Sequence, residues 1–366
     1  MTKTYKIDVI CGTRPNFVKV ARLISEFDKC DFFETRLIHT GQHYDKNLNE
    51  IFFEQLNIRT PDYYLDVCQK SPTFQLADIT AKYAGLIIES RPDATIVIGD
   101  VTSTLACAIA AKYNNIPVIH LEAGLRCGSN FMLEEINRKM VDSISDVLLT
   151  PSEDASSNLI NEGVCHTKIF HVGNIMIDSL LYAVNKYKSD CTLNDLNIQE
   201  KKYIVVTVHR QQNLNAKSLN EITQMILNLS DNYTVVFPVH PHTLKHLKEE
   251  RQTIHNKRNI KITPPLGYNE FTHLLNNARA VITDSGGIQE ETTFLGVPCF
   301  TIRDSTERPI TIKSGTNIIA KPFEITSKII EAQYKKFTKE RPTIAYWDGE
   351  TSFRILQIVK DFLHVK

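Results

Sequence analysis

Two doubly wound α/β domains facing a cleft are the fold class this sequence predicts, and three observations predict it. Short apolar runs rich in β-branched residues alternate with amphipathic helical stretches, the pattern of a parallel sheet covered on both faces. That alternation runs its course once and then restarts after a helix at 175–187 and a polar stretch at 188–202. Finally, 366 residues exceed what one small core organises. The expected division is an N-terminal domain at 1–173, a C-terminal domain at 174–346 and a terminal helical segment at 347–366.

In the first half, Tyr5–Cys11 reads as a strand, Gly12–Asn16 as a turn and Phe17–Phe27 as an amphipathic helix. Strand Thr35–His39, helices Leu48–Leu56 and Phe74–Glu89, and strand Ala94–Ile98 follow. Helix Thr102–Tyr113, strand Pro117–Leu121 and helix Leu133–Ile144 come next. Strand Asp146–Thr150, helix Ser152–Asn161 with Ser152 as N-cap, and strand Lys168–His171 complete this set. The second half begins with strand Tyr203–Val208 and helix Leu219–Leu229. Strand Tyr233–Val239, a helical segment near 244–252, strand Ile260–Thr263 and helix Asn269–Asn277 follow. Strand Ala280–Thr283 then leads through Asp284-Ser285-Gly286-Gly287 into helix Ile288–Leu295, stopped by Gly296 and Pro298. Strand Pro298–Ile302 and a last helix, Ser352–Leu363, end the reading. In doubly wound sheets ligands bind at the carboxyl ends of the strands.

Composition excludes several classes. Lys+Arg and Asp+Glu are each 42, so no overall field favours nucleic acid or an anionic membrane. No apolar run reaches the ~18 residues of a membrane span, and the first residues lead directly into a strand. The eight cysteines are scattered without a C-x-x-C pair, against a zinc knuckle or a secreted disulfide framework. A reduced, cytoplasmic protein without a metal is expected.

The stretch Asp284–Glu291 has strand, Ser-Gly-Gly and helix in the order that aims backbone N–H groups at an anion. Two glycines remove Cβ atoms that would hold a phosphate away. Glu290 and Glu291, read as first-turn acids, suit the helix dipole and can bind ribose hydroxyls. The same stretch also reads as a capped turn. At the end of the first strand, Arg14 can fork onto a phosphate and Lys19 can add a point charge. No G-x-G-x-x-G occurs, which counts against a bound dinucleotide.

Asp100, Glu122 and Glu134 fall at or just beyond strand ends, where converging carboxylates raise one another's pKa for proton transfer. Asp100 also reads as a cap for the helix at Thr102, and Glu134 as an i,i+4 surface partner of Arg138. His209-Arg210 and His240 end strands of the second half and offer a proton-exchanging group and an anion-binding one. Arg303 and Arg308 add charge to the same edge.

Together these stretches resemble the non-hydrolysing UDP-N-acetylglucosamine 2-epimerases, whose two Rossmann-like domains form the GT-B fold. The matching text is GTRPNFVK at 12–19, HTGQHYD at 39–45, GDVTST at 99–104 and HLEAGLR at 120–126. It continues with EEINRK at 134–139, HVGNIMID at 171–178, HR at 209–210, PVHP at 238–241, DSGGIQEE at 284–291 and RDSTERP at 303–309. The resemblance implies that Arg14, Ser285, Gly286 and Gly287 hold the diphosphate, Glu291 the ribose, and Arg308 a phosphate or the sugar. Tyr268 and Phe271, in the segment Gly267–Phe271, would lie against the uracil. Asp100, Glu122, Glu134 and His209 would surround the sugar C1–C2 bond. Gln42 and His43, with His240, would correspond to a second UDP-sugar site. The resemblance further implies a homodimer, a UDP-sugar as the small-molecule partner and no cofactor.

The chain departs from the commonest family pattern at three places. Asn16 stands where an acid is usual, the loop at 126–134 lacks its proline, and Gln211-Gln212 follow His209-Arg210. Loss of acids at 16 and 212 implies a less polar sugar pocket, as in relatives that act on 6-deoxy or 2,3-diacetamido UDP-sugars. A GT-B glycosyltransferase, a hydrolysing epimerase and a UDP-sugar sensor are the alternatives. The hydrolysing relatives usually carry Thr-Arg-Ala-Asp-Tyr at the first turn, where Arg14 here precedes Pro15-Asn16.

Overall fold

The computed structural model describes residues 4–41, 53–67, 71–128, 132–186, 191–239, 241–247, 254 and 257–364. It divides into two compact units, Met1–Ser179 with Ala345–Lys366, and Leu180–Ile344.

The first unit is built from β1 (Tyr5–Cys11), α1 (Arg14–Phe27), β2 (Phe33–His39), β3 (Tyr63–Tyr64), α2 (Pro72–Glu89), β4 (Ala94–Ile98) and α3 (Thr102–Tyr113). β5 (Val118–Leu121), α4 (Leu133–Ile144), β6 (Val147–Thr150), α5 (Glu153–Asn161), β7 (Ile169–His171) and the start of α6 (Ile175–Lys186) follow. Its seven strands run in the order β3-β2-β1-β4-β5-β6-β7, every pairing parallel. Consecutive strands grow outward from β1 in one direction and from β4 in the other. The strand order therefore reverses between β1 and β4, the switch point of a doubly wound sheet.

The second unit contains α7 (Cys191–Asp195), β8 (Tyr203–Thr207), α8 (Ala216–Ser230), β9 (Thr234–Pro238), α9 (Pro241–His246), β10 (Ile260–Thr263) and α10 (Tyr268–Asn276). β11 (Ala280–Thr283), α11 (Gly286–Leu295), β12 (Cys299–Thr301), α12 (Ile310–Lys313), β13 (Asn317–Ile319) and α13 (Ser327–Lys339) complete it. Its order is β10-β9-β8-β11-β12-β13, again all parallel, with the switch between β8 and β11.

Central strands are buried on both faces, which is why they read as unbroken apolar runs. On β8, Ile204 and Val206 join one core with Ile222, Ile226 and Phe237, while Tyr203 and Val205 join another with Leu274, Val281 and Val297. Each such side chain contributes about 1.5–3 kcal/mol by leaving water. In the first unit Ile10, Ile38, Tyr83, Val97 and Val118 fill the equivalent space. The terminal helix α14 (Thr351–His364) packs on α1. Its start is capped by Asp178, which accepts from the Thr351 and Ser352 amides at 3.2 and 2.7 Å. That cap falls where the helix would otherwise leave donors unpaired.

Several expectations need correction. Helix α11 begins at Gly286 rather than Ile288, so the glycines are its first residues and Glu290 and Glu291 lie beyond its first turn. The polar stretch at 188–202 contains α7, and β3, β13 and α13 went unread. β3 and β13 are very short edge strands that carry little periodic signal, whereas α13 has a narrow apolar face with Ile330 and Phe337 buried. The expected helix at 48–56 and the helical segment near 244–252 lie partly outside the described residues.

Candidate active site

At the β1/β4 switch point the turn after β1 is closed by Asn16. Its Oδ1 accepts from the Thr13 amide at 3.1 Å and the Thr13 hydroxyl at 3.0 Å. Its Nδ2 donates to the Ile98 carbonyl at 3.3 Å, stitching the turn to the end of β4. A glutamate there could not make that donation. Asn16 is therefore buried turn structure rather than a missing pocket acid, whereas Gln212 is exposed.

One helical turn on, the buried Lys19 forms an ion pair with Glu122, the residue just after β5. Glu122 is 3% exposed and has φ +70°. A non-glycine residue in the left-handed region carries strain of order 1–3 kcal/mol, tolerated where the surroundings over-determine it. Gly99, with φ +69°, presses against this pair. A Cβ at Gly99 would stand 3.1 Å from Glu122 Oε2 and 3.4 Å from Lys19 Nζ.

Asp100 follows Gly99, and its carboxylate ion-pairs with Arg138 of α4. Its carbonyl accepts from Asn137 Nδ2 at 2.8 Å. Arg138 is also paired with Glu135, so the expected Glu134–Arg138 pair is replaced by Glu135–Arg138 and Asp100–Arg138. The residue ahead of α3 is Val101, which leaves the Asp100 carboxylate to Arg138 rather than to a cap. Glu134 is exposed at the start of α4. Lys19, Glu122 and Asp100 thus come together at one sheet edge, with Glu134 on the neighbouring helix.

At the β8/β11 switch point the last strand residues are joined by Thr207 and Thr283, whose hydroxyls are 2.7 Å apart. Asp284, fully buried, gathers the turn after β8. It accepts from the Arg210 amide at 2.9 Å and Asn213 Nδ2 at 3.0 Å, and lies 2.9 Å from His209 Nδ1. Burial pushes the Asp284 carboxyl up, but these partners outweigh it and hold the group below its ordinary value. The His209 ring is half exposed.

Helix α11 points its N-terminus at a group of arginines. Glu307 lies 2.8 Å from Arg303 Nη2, 2.8 Å from Arg308 Nη1 and 3.5 Å from Arg210 Nη2. Burial disfavours its charge, but Arg308 and Arg303 hold it well below the usual carboxylate range. Arg308 Nε also meets Glu290 Oε2 at 2.8 Å. A Cβ on Gly286 would fall 2.8 Å from Arg308 Nη1 and 2.9 Å from Glu307 Oε1, so any larger residue displaces those side chains. A helix N-terminus, two glycines and convergent guanidinium groups are elements from which an anion site can be built. Behind it, burial pushes the Glu291 carboxyl up to about 7, and the Tyr268 hydroxyl donates to it at 3.1 Å. Ser285 and Gly287 are half-buried beside Gly286, and Phe271 is half-buried on α10.

Gln42, His43 and His240 lie outside the described residues, as does the side chain of Arg14. Asp284, Glu307 and Asn213 were given no site role in the sequence reading. The signal for Asp284 was present, because it ends the strand that carries the Ser-Gly-Gly unit.

The profile of the UDP-N-acetylglucosamine 2-epimerase family matches residues 25–360. A Methanococcus maripaludis UDP-N-acetylglucosamine 2-epimerase homolog is 41% identical over 364 residues, covering 97% of this chain and 99% of its own. A Pseudomonas aeruginosa UDP-2,3-diacetamido-2,3-dideoxy-D-glucuronate 2-epimerase is 36% identical over 318 residues, 86% of this chain and 88% of its own. The crystal structure of Methanocaldococcus jannaschii UDP-GlcNAc 2-epimerase in complex with UDP-GlcNAc and UDP superposes with a TM-score of 0.86 at 36% identity, over 97% of this chain and 99% of that one. The architecture is thus the α/β GT-B fold of those epimerase structures, and the chain belongs to the UDP-N-acetylglucosamine 2-epimerase family of isomerase-type enzymes.

Proposed function

We propose that the protein is a non-hydrolysing C2 epimerase of a UDP-2-acetamido sugar, interconverting UDP-GlcNAc and UDP-ManNAc. The observation that carries the reading is the buried Glu122, held in left-handed backbone against Lys19 beside Asp100. The C2 proton is not adjacent to a carbonyl, so plain deprotonation is too costly. A base instead takes the proton as the C1–O bond breaks. A C1–C2 double bond forms, UDP departs with the bonding electrons, and a 2-acetamidoglycal remains. Return of UDP to C1 with a proton on the other face of C2 gives the epimer. Such a path needs acid–base groups on both faces of C2 and stabilisation of the leaving diphosphate.

In this reading Asp100, Glu122, Glu134 and His209 supply proton transfer. Lys19, Arg14, Arg210, Arg308, Ser285, Gly286 and Gly287 hold the diphosphate and sugar. Glu291 takes the ribose, Tyr268 and Phe271 flank the uracil, and His240, Gln42 and His43 serve a second UDP-sugar. The enzyme needs no cofactor in this path, acts in the cytoplasm and feeds surface polysaccharide synthesis. Its partner is a second copy of itself. The exposed apolar residues Leu133, Ile136 and Met140, one face of α4, support that assembly.

A second substrate reading is favoured by the 2,3-diacetamido-sugar 2-epimerase among the relatives. There the same reaction runs on a 2,3-diacetamido UDP-sugar or on UDP-L-QuiNAc, giving UDP-L-RhaNAc. The test is equilibration of the purified protein with a panel of UDP-amino sugars, products being read by proton NMR. A mixture of gluco and manno UDP-sugars supports the proposal, and the fastest panel member names the substrate. Release of UDP and free sugar without a re-formed UDP-sugar overturns the non-hydrolysing reading.

A further inference from the structure

His120 lies in the middle of β5, between Val97 of β4 and Leu148 of β6, and is fully buried. Its ring faces two acceptors. Nε2 is 2.8 Å from the carbonyl of Gly99, the residue before Asp100. Nδ1 is 2.7 Å from Oδ1 of Asp142 on α4, itself almost wholly buried. A carbonyl oxygen only accepts, so Nε2 carries a proton. Asp142 anchors the opposite edge of the ring. Its other oxygen accepts from the Gly124 amide at 3.2 Å and stands 2.8 Å from Arg126 Nη1. Arg126 in turn is doubly bonded to Glu162. The ring is thus held at both nitrogens, by the Gly99 carbonyl and by Asp142.

The network joins the two turns that carry the acid–base candidates. Gly99-Asp100 is held from one side by His120 through the Gly99 carbonyl. From the other side Gly99, with its left-handed backbone, lies in tight contact with Glu122 and Lys19. Glu122-Ala123-Gly124 is held through the Gly124 amide by Asp142. A Cβ at Gly124 would stand 2.2 Å from the Ala155 carbonyl, so this turn also has no slack. We propose that His120 is a positioning residue: a buried ring, fixed by Asp142, that sets the turn carrying Asp100 against Glu122. It touches no substrate and acts through the Gly99 carbonyl. The role rests on the reading that Asp100 and Glu122 move protons.

Two measurements test it. In protein labelled with ¹⁵N-histidine, a two-bond proton–nitrogen correlation reports the state of each ring, and His120→Gln identifies the signal. The expected result is a proton on His120 Nε2, the nitrogen that faces the Gly99 carbonyl. A bare Nε2 overturns the proposal. The second measurement separates the two bonds. Glutamine at 120 places an amide donor where Nε2 was, keeping the Gly99 bond, whereas asparagine places one where Nδ1 was, keeping only Asp142. His120→Asn is expected to lower kcat by roughly 10–100-fold, the scale of a small misplacement, with KM and UDP affinity unchanged. His120→Gln keeps most of the turnover, whichever variant melts lower. If both lose turnover equally, or KM moves instead of kcat, the ring is merely structural. If neither variant folds, the wild-type nitrogen spectrum still decides. An Asp100→Asn enzyme with normal turnover would instead remove Asp100 from the chemistry and leave the His120 ring state untouched, so the two failures are distinguishable.

Discussion

His209 Nδ1 lies 2.9 Å from Oδ1 of Asp284, a carboxylate with no solvent exposure that also gathers the amide of Arg210. A ring so anchored presents its other nitrogen outward in a fixed tautomer when neutral. Asp284→Asn removes the charge and one acceptor while preserving shape. Steady-state kinetics should show kcat lower by roughly 10–100-fold, the cost of a misaligned proton-transfer group. UDP affinity by calorimetry should stay within about threefold, because Asp284 is not placed against the anion site.

Gly286 is the first residue of α11, and a methyl group there collides with both Arg308 and Glu307. Gly286→Ala should therefore displace Arg308 and weaken UDP binding by about 1.5–3 kcal/mol, roughly 10–100-fold in Kd, as when a charge-assisted bond is lost. Isothermal titration with UDP reads the change. An unaltered Kd would place the phosphates elsewhere.

Burial lifts Glu291 from 4.5 to about 7 in the folded state. The folded protein then binds this proton more tightly than the unfolded chain. The group is neutral in both states below about pH 4.5, and stability falls as pH rises from there to about 7. The loss amounts to roughly 3 kcal/mol once the carboxyl is ionised in both states. Glu291→Gln removes the titration. Thermal unfolding of the variant should gain on wild type at pH 8 and show little advantage at pH 4.5. Equal differences at the two pH values would contradict a buried, raised carboxyl.

Lys19 and Glu122 form a pair of which neither side chain is more than 10% exposed. Lys19→Met removes the cation and leaves a buried carboxylate beside it, a change that typically costs about 3–5 kcal/mol. Chemical denaturation should show that loss, and the double variant Lys19→Met with Glu122→Gln should recover part of it. Strict additivity would mean that the two do not interact.

Much of this architecture was legible in the sequence because doubly buried strands such as Tyr203–Thr207 leave unbroken apolar runs. The two-residue β3 was not, being too short to show a period, and α13 was passed over although Ile330 and Phe337 mark its buried face. At the site, strand-end position alone singled out Asp100, Glu122 and His209. The partners were hidden. Arg138 turns to Glu135 rather than Glu134 because Glu135 faces inward on α4 while Glu134 faces solvent. Glu307 is an acid inside an anion site, legible only once Arg303 and Arg308 are seen on either side of it. Asn16 looked like a lost pocket acid until its amide was found bonded to Ile98.

The central claim is that Glu122, beside Asp100, moves the proton at C2. The direct measurement is solvent deuterium incorporation at C2 of a UDP-sugar in deuterium oxide, followed by proton NMR for wild type and Glu122→Gln. The account predicts exchange at C2 in step with epimer formation for wild type. For Glu122→Gln it predicts exchange slower by roughly 10²–10⁴-fold, the contribution of one acid–base group, with UDP still bound. An epimer that forms while keeping its C2 hydrogen, or a Glu122→Gln enzyme within about threefold of wild type, would contradict it.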